Sequence, residues 1–167
     1  MPDDPAVAET GAGIAPVQVI PENLLTIYTI ESQLKKAQER RVWLSSGGTL
    51  VIDPCEAMTV IDVNTAKFTG KRELEDTVLR LNLEACGEIA RQVRLRNLSG
   101  IIIIDMIDMK TPEHRQMVLD ALAEAFASDR VKTVIHGLTS LGLVEMTRKR
   151  SRPPLKVMLA KQEEAHE

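Results

Sequence analysis

The chain has 167 residues, 44% of them hydrophobic and 27% charged, which is typical of one soluble globular domain with terminal extensions. A formal net charge of −3 excludes attraction to nucleic acid through the overall field, and an aromatic content of 2% argues against RNA binding by base stacking on a sheet or barrel. No apolar run approaches the roughly 20 residues that cross a bilayer, and the N-terminus lacks the pattern of a secretory signal. The composition therefore predicts a cytoplasmic protein.

The N-terminal part of the chain predicts a mobile lead-in, then a helix, then a hairpin. Residues 1–20 are rich in Ala, Gly, Pro, Asp and Val without any period, which is typical of a mobile segment. From residue 21 to Ala37, apolar residues recur at helical spacing. Ser45-Ser46-Gly47-Gly48 then predicts a tight turn between two strands, because glycine adopts positive φ without penalty.

Strands and helices alternate in the rest of the chain. The four consecutive isoleucines at 101–104 have no polar alternation, which predicts a strand buried on both faces. Alternation of strand and helix predicts an α/β fold with flanking helices, in which a mixed, largely parallel sheet includes the hairpin at its edge. The Pro- and Glu-containing residues 151–167 predict a flexible tail. The predicted strands cover 57–64, 101–105 and 131–135, and the predicted helices cover 73–96 and 111–127.

Two of these strands end in carboxylates. Asp62 and Asn64 lie two apart on one strand, and Asp105 ends the isoleucine strand. Because the carboxyl ends of parallel strands share one edge of a sheet, we expect Asp62 and Asp105 to meet there, with Asp108 and His136 nearby. Oxygen ligands without a His or Cys cluster favour Mg²⁺ or Mn²⁺, and the sequence shows no zinc site. The alternative is that these residues only cap the loops that follow.

The basic residues form two groups. The first lies in the last turn of a predicted helix, where the helix dipole is a sufficient explanation. The second group lies after the last apolar segment, and we expect it to contact RNA phosphates. The first group consists of Arg91, Arg94 and Arg96, and the second of Arg148, Lys149 and Arg150.

Several motifs, in order from Leu24 to Arg150, resemble the catalytic region of the bacterial ribonuclease E/G family. They are Glu31-Ser32-Gln33-Leu34, Ser46-Gly47-Gly48, Glu56 to Asn64, Asn82-Leu83-Glu84-Ala85, Glu88-Ile89-Ala90-Arg91-Gln92, Arg94-Leu95-Arg96-Asn97-Leu98, Gly100 to Met109 and Leu141 to Arg150. The resemblance implies a DNase I-like catalytic subdomain over 21–150. It also implies that Asp62 and Asp105 bind the catalytic Mg²⁺ and that Asn64 supports them.

The chemistry implied by the resemblance is endonucleolytic hydrolysis of single-stranded, A/U-rich RNA, leaving 5′-phosphate and 3′-hydroxyl ends. The family also implies a homo-oligomer. The family's S1 domain and 5′-end sensor do not precede Leu24, and a Cys-Pro-x-Cys zinc link does not follow the basic run. An inactive scaffold or oligomerisation module is therefore an alternative. A phosphodiesterase acting on DNA or small esters is another.

Overall fold

The structure is a computed structural model, and it describes residues 29–65 and 74–164. The chain divides into two compact units, Met1–Lys36 and Ala37–Glu167. In the first unit the described helix is α1, Ile30–Lys36. The predicted lead-in and the beginning of the predicted first helix lie outside the described residues.

The second unit is an α/β fold, as the sequence predicts. Its helices alternate with strands over most of its length, and its described strands form a single sheet. The strands are β1 (Arg41–Trp43), β2 (Thr49–Pro54), β3 (Met58–Asn64), β4 (Gly100–Asp105), β5 (Thr133–Leu138) and β6 (Val144–Arg148). The helices are α2 (Leu74–Leu95), α3 (Pro112–Phe126) and α4 (Leu155–Glu164).

The sheet is mixed, with the order β1-β2-β3-β4-β6-β5. The prediction of a largely parallel sheet needs correction, because β3 and β4 are its one parallel pair within the described residues. The cause is a turn at residues 139–143, where Gly142 has φ +83° and the Thr139 N–H donates to the Leu143 carbonyl at 2.8 Å. The chain reverses there and β6 enters between β4 and β5. Strand β5 consequently points the same way as β4 without pairing with it.

Helices cover one face of the sheet. Ile102 and Ile104 of β4 are fully buried on that face, together with Ile89 of α2 and Leu122 of α3. Ile101 points to the opposite face and is 46% exposed. The predicted burial of the isoleucine strand on both faces is therefore wrong. The β-branched run favours a strand, but it does not report how many faces are covered.

A helix occupies much of the predicted flexible tail. Helix α4 follows Pro153-Pro154, and proline is well tolerated before and within a first helical turn. The Asn97 side chain donates to the carbonyls of Arg152 and Pro153 at 2.8 and 3.1 Å, which ties this segment to the end of α2. No helix in residues 29–65 and 74–164 combines the length and apolar character needed to cross a membrane.

Candidate functional site

Asp62 and Asp105 lie side by side at one edge of the sheet. They form the last pair in the parallel register of β3 and β4, after the pair formed by Ile61 and Ile104. Because Ile61 and Ile104 are fully buried under the helices, the alternation of side chains directs both carboxylates to the open face. Neighbouring strands are about 4.8 Å apart, so one small ion can contact both side chains. The structure thus brings together the two carboxylates that the sequence predicted would meet.

The electrostatics of this pair favour a bound cation. Asp105 is exposed and Asp62 is half-buried. Partial burial raises the pKa of Asp105, and the nearby carboxylates of Asp62 and Asp108 raise it further. Like charges held this close repel each other, and a divalent cation between them would remove the repulsion.

Asn64 extends the site along β3. It lies two residues beyond Asp62 on the same face, and its side-chain N–H donates to Oδ2 of Asp62 at 2.7 Å. This hydrogen bond fixes one oxygen of the Asp62 carboxylate. Asn64 is therefore placed to orient Asp62, and its predicted role in supporting a metal site stays a prediction.

Asp108 and His136 were expected at the same edge, and only Asp108 is near it. Asp108 is exposed in the loop after β4 and close enough to raise the pKa of Asp105. His136 lies within β5, one residue before Gly137. Gly137 pairs with Glu145 of β6, and Glu145 pairs with Ile103 of β4, two residues before Asp105. The Nε2 atom of His136 is 3.0 Å from the Thr147 hydroxyl. The predicted position of His136 is wrong because β5 continues to Leu138, beyond the predicted strand end.

Sequence reasoning missed Asn82, which holds the loop after Asp105. The side chain is fully buried in α2; its N–H donates to the Ile107 carbonyl at 2.8 Å, and its oxygen accepts from the Ile107 N–H at 3.1 Å. Ile107 lies between Asp105 and Asp108, so this two-point contact fixes the backbone beside both carboxylates. A polar residue next to Leu81 in the apolar stripe of the helix was the available signal.

The second basic group divides into one structural residue and two surface residues. Arg148 has a side chain 4% exposed and forms an ion pair with Asp129 at 2.7 Å. It also donates to the side-chain oxygen of Asn97 and to the carbonyl of Leu98. The predicted phosphate contact by Arg148 needs correction, because these bonds use four of its five N–H groups inside the fold.

Lys149 and Arg150 are exposed, and their predicted role in RNA binding stays a prediction.

The helix-end arginines make contacts within the fold. Arg91 pairs with Glu88 at 2.7 Å, and Arg94 donates to the Ala125 carbonyl at 2.9 Å. These two side chains therefore stabilise the end of α2.

The donor set at Asp62 and Asp105 suits a hard cation. Mg²⁺ binds oxygen ligands and needs only one or two carboxylates, with water and phosphate oxygens completing its shell. Within residues 29–65 and 74–164, no group of three or more His, Cys, Asp and Glu residues is arranged to hold a metal ion. Two carboxylates are the number of protein ligands that Mg²⁺ typically takes in such a shell.

Comparison with known proteins identifies a single family. Residues 10–151 match the model of the Ribonuclease E/G family. The chain is 53% identical over 136 residues to Ribonuclease G of Salmonella typhimurium (strain SL1344) and 52% identical over 136 residues to Ribonuclease G of Escherichia coli (strain K12), in each case covering 81% of this chain and 28% of the relative. It is 47% identical over 132 residues to Ribonuclease E of Escherichia coli (strain K12), covering 79% of this chain and 12% of the relative. The chain thus spans less than a third of the length of these relatives.

Proposed function

The chain belongs to the ribonuclease E/G family, and from this premise we propose that it is the cation-binding core of an endoribonuclease that hydrolyses single-stranded, A/U-rich RNA. The observation that carries the proposal is the pairing of Asp62 with Asp105 on the open face of the sheet. The family membership supplies the reaction class, and the relatives' names supply RNA as the substrate class. The products would carry 5′-phosphate and 3′-hydroxyl ends.

Asp62 and Asp105 would hold Mg²⁺, with Mn²⁺ as a substitute. When bound there, the cation would act as a Lewis acid on the scissile phosphate, lower the pKa of a water and stabilise the negative charge that develops. Asn64 would keep the Asp62 carboxylate in one orientation through its 2.7 Å hydrogen bond. Asn82 would keep the loop after Asp105 in place through its two bonds to Ile107.

The open face of the sheet would receive the RNA. It leaves Asp62 and Asp105 accessible, since Asp105 is exposed and Asp62 is half-buried. Lys149 and Arg150 are exposed after β6 and would contact backbone phosphates. The DNase I-like assignment, assembly into a homo-oligomer and a cytoplasmic location belong to this proposal as well.

The test is cleavage of a labelled, single-stranded, A/U-rich RNA by the purified chain, with and without Mg²⁺. Wild type is compared with Asp105→Asn and with Asp120→Asn, which removes an exposed carboxylate from α3. We expect Mg²⁺-dependent cleavage that Asp105→Asn slows by at least about 100-fold and that Asp120→Asn leaves unchanged. End-labelling of the products identifies the 5′ and 3′ groups.

Equal cleavage by wild type and Asp105→Asn would remove the basis of the assignment. Binding of the cation without any turnover would instead favour the scaffold alternative. Hydrolysis of DNA but not of RNA would favour a phosphodiesterase of different substrate class.

A further inference from the structure

A second feature lies at the other edge of the sheet, where β3 and β4 begin. It is a cleft of about 780 Å³, lined by the end of β2, the start of β3, the turn before β4 and the segment that joins β6 to α4. We name it the basic cleft. Apart from Arg40, its basic side chains are Arg96, Arg150, Arg152 and Lys156.

The basic cleft carries an excess of positive charge. Arg40 also lines it, but this side chain is neutralised by an ion pair with Asp53. The remaining acidic residue in the lining is Glu56. In the described part of the chain, no side-chain hydrogen bond or ion pair joins Arg150, Arg152 or Lys156 to another residue. Such a group of unpaired cations around one cavity favours an anionic ligand.

Arg96 is a buried basic residue in the lining of the basic cleft. The residue is only 7% exposed, and its Nε atom donates to the Gln92 side-chain oxygen at 2.7 Å. Its Nη2 atom is buried and has no hydrogen-bond partner among the residues that the structure describes. The nearby Glu88 carboxylate is already committed to Arg91 and Gln92. A buried donor left without an acceptor is costly, so a shift of the Arg96 side chain that brought Nη2 to a ligand oxygen would be stabilising.

We propose that the basic cleft binds a backbone phosphate of the RNA strand whose scissile bond lies at Asp62 and Asp105. The inference rests on the proposed function, because both sites would hold the same strand. Strand β4 links them, and its six residues span about 20 Å. Met58 and Ile101, 38% and 46% exposed, lie on the open face at the beginning of β3 and β4, next to the cleft, and offer apolar surface to the bases.

Hydroxyl groups in the lining support a phosphate over a carboxylate. Ser99 and Ser151 line the basic cleft beside the guanidinium groups, which gives a phosphate further donors for its several oxygens. Backbone recognition of this kind needs no aromatic residues, in agreement with the 2% aromatic content of the chain. An acidic peptide is the competing ligand and is included in the test.

The experiment measures binding of a fluorescent single-stranded RNA of about 16 nucleotides in EDTA over a series of salt concentrations. The double variant Arg150→Gln/Arg152→Gln is compared with the control Arg80→Gln/Arg130→Gln, which removes the same charge from exposed positions outside the cleft. We expect the slope of log affinity against log salt to become shallower by about 0.7 in the cleft variant, because about 0.7 is lost for each phosphate contact to a single strand and the cleft would hold one phosphate. The control should keep the wild-type slope.

The same titration is repeated with inorganic phosphate and with a polyglutamate peptide. If Arg150→Gln/Arg152→Gln keeps the wild-type slope of log affinity for RNA against log salt, the proposal is wrong. Tighter binding of the peptide than of RNA, or cleft-dependent binding of inorganic phosphate without any effect on RNA, would overturn it too. The Arg96 Nε–H signal in ¹⁵N NMR tests the buried residue without a substitution that risks unfolding: a shift on adding RNA is expected, and an unchanged signal would contradict it.

Failure of this inference is distinguishable from failure of the proposed function. Binding in EDTA requires no turnover. If the wild-type chain is inactive but its salt slope for RNA binding still depends on the cleft residues, the nuclease proposal alone is wrong. Normal Mg²⁺-dependent cleavage with a cleft-independent slope would contradict the cleft and the phosphate contact of Arg150, and would leave the nuclease assignment in place.

Discussion

Replacing Arg148 with methionine tests whether this residue holds the fold together. Its guanidinium contacts the Asp129 carboxylate through two nitrogens, at 2.7 and 3.2 Å, and it also donates to Asn97 and Leu98. Methionine fills much of the same space but donates no hydrogen bond to Asp129. Among the described donors to this carboxylate, the Val131 N–H at 3.0 Å would remain. Removing one partner of a buried ion pair costs about 3–5 kcal/mol.

For a chain of this size, that loss corresponds to a decrease of about 6–20 °C in Tm. Thermal and urea unfolding followed by circular dichroism provides the measurement. The matched control is Lys149→Gln at the next, exposed position, where we expect a change within about 0.5 kcal/mol. Below the Tm of both variants, Lys149→Gln should flatten the salt dependence of RNA binding and Arg148→Met should not. A free energy of unfolding within about 1 kcal/mol of wild type for Arg148→Met would refute the assignment of Arg148 to the interior.

Three further predictions concern the loop, the carboxylate pair and pH. Asn82→Ala should lower kcat at least about 10-fold with little change in KM, and hydrogen exchange of the Ile107 amide should become faster; unchanged exchange would contradict the positioning role. In metal-free buffer Asp105→Asn should equal or exceed the wild-type Tm, because a repulsive charge is removed; a clear decrease in Tm would contradict this. Burial raises the pKa of Asp129, but hydrogen bonds from Arg148 and Val131 outweigh it and hold the pKa below its ordinary value. This contribution to stability is present at neutral pH and is lost as pH falls below about 4, so Asp129→Asn should flatten the dependence of stability on pH in that range; an unchanged profile would oppose the assignment.

The carboxylate pair could be predicted because it follows from local rules. A β-branched run that ends in a carboxylate favours a strand with its acidic residue at the sheet edge, and a helix between two strands favours parallel pairing. Asp62 and Asp105 follow both rules, and β3 and β4 pair in the expected direction. These two local rules were enough to predict that Asp62 and Asp105 lie at one edge of the sheet.

The environment of Arg148 could not be predicted in this way. Its partner Asp129 lies 19 residues earlier, and the two meet because β6 turns back between β4 and β5. The sequence gives no local sign of that insertion. Basic composition alone therefore placed Arg148 with the surface cations, although the fold buries it.

The open face was missed for a related reason. Ile101 and Ile102 are identical residues in one strand, yet Ile101 is 46% exposed and Ile102 is fully buried. Which of the two is covered depends on both helices packing on the same side of the sheet, and this is decided by tertiary contacts between α2 and α3. Helix α4 is a similar case, since Asn97 anchors its preceding segment from a distant part of the chain.

Calorimetric titration of the metal-free protein with Mg²⁺ and Mn²⁺ tests most directly whether the two carboxylates share one cation. We predict a single ion per chain in wild type and in the control Asp120→Asn. Asp62→Asn and Asp105→Asn should each weaken binding by more than about 10-fold, or about 1.4 kcal/mol. Wild-type affinity in either of these two variants would mean that the side chains do not hold a common ion, and the proposed catalytic site would then be wrong.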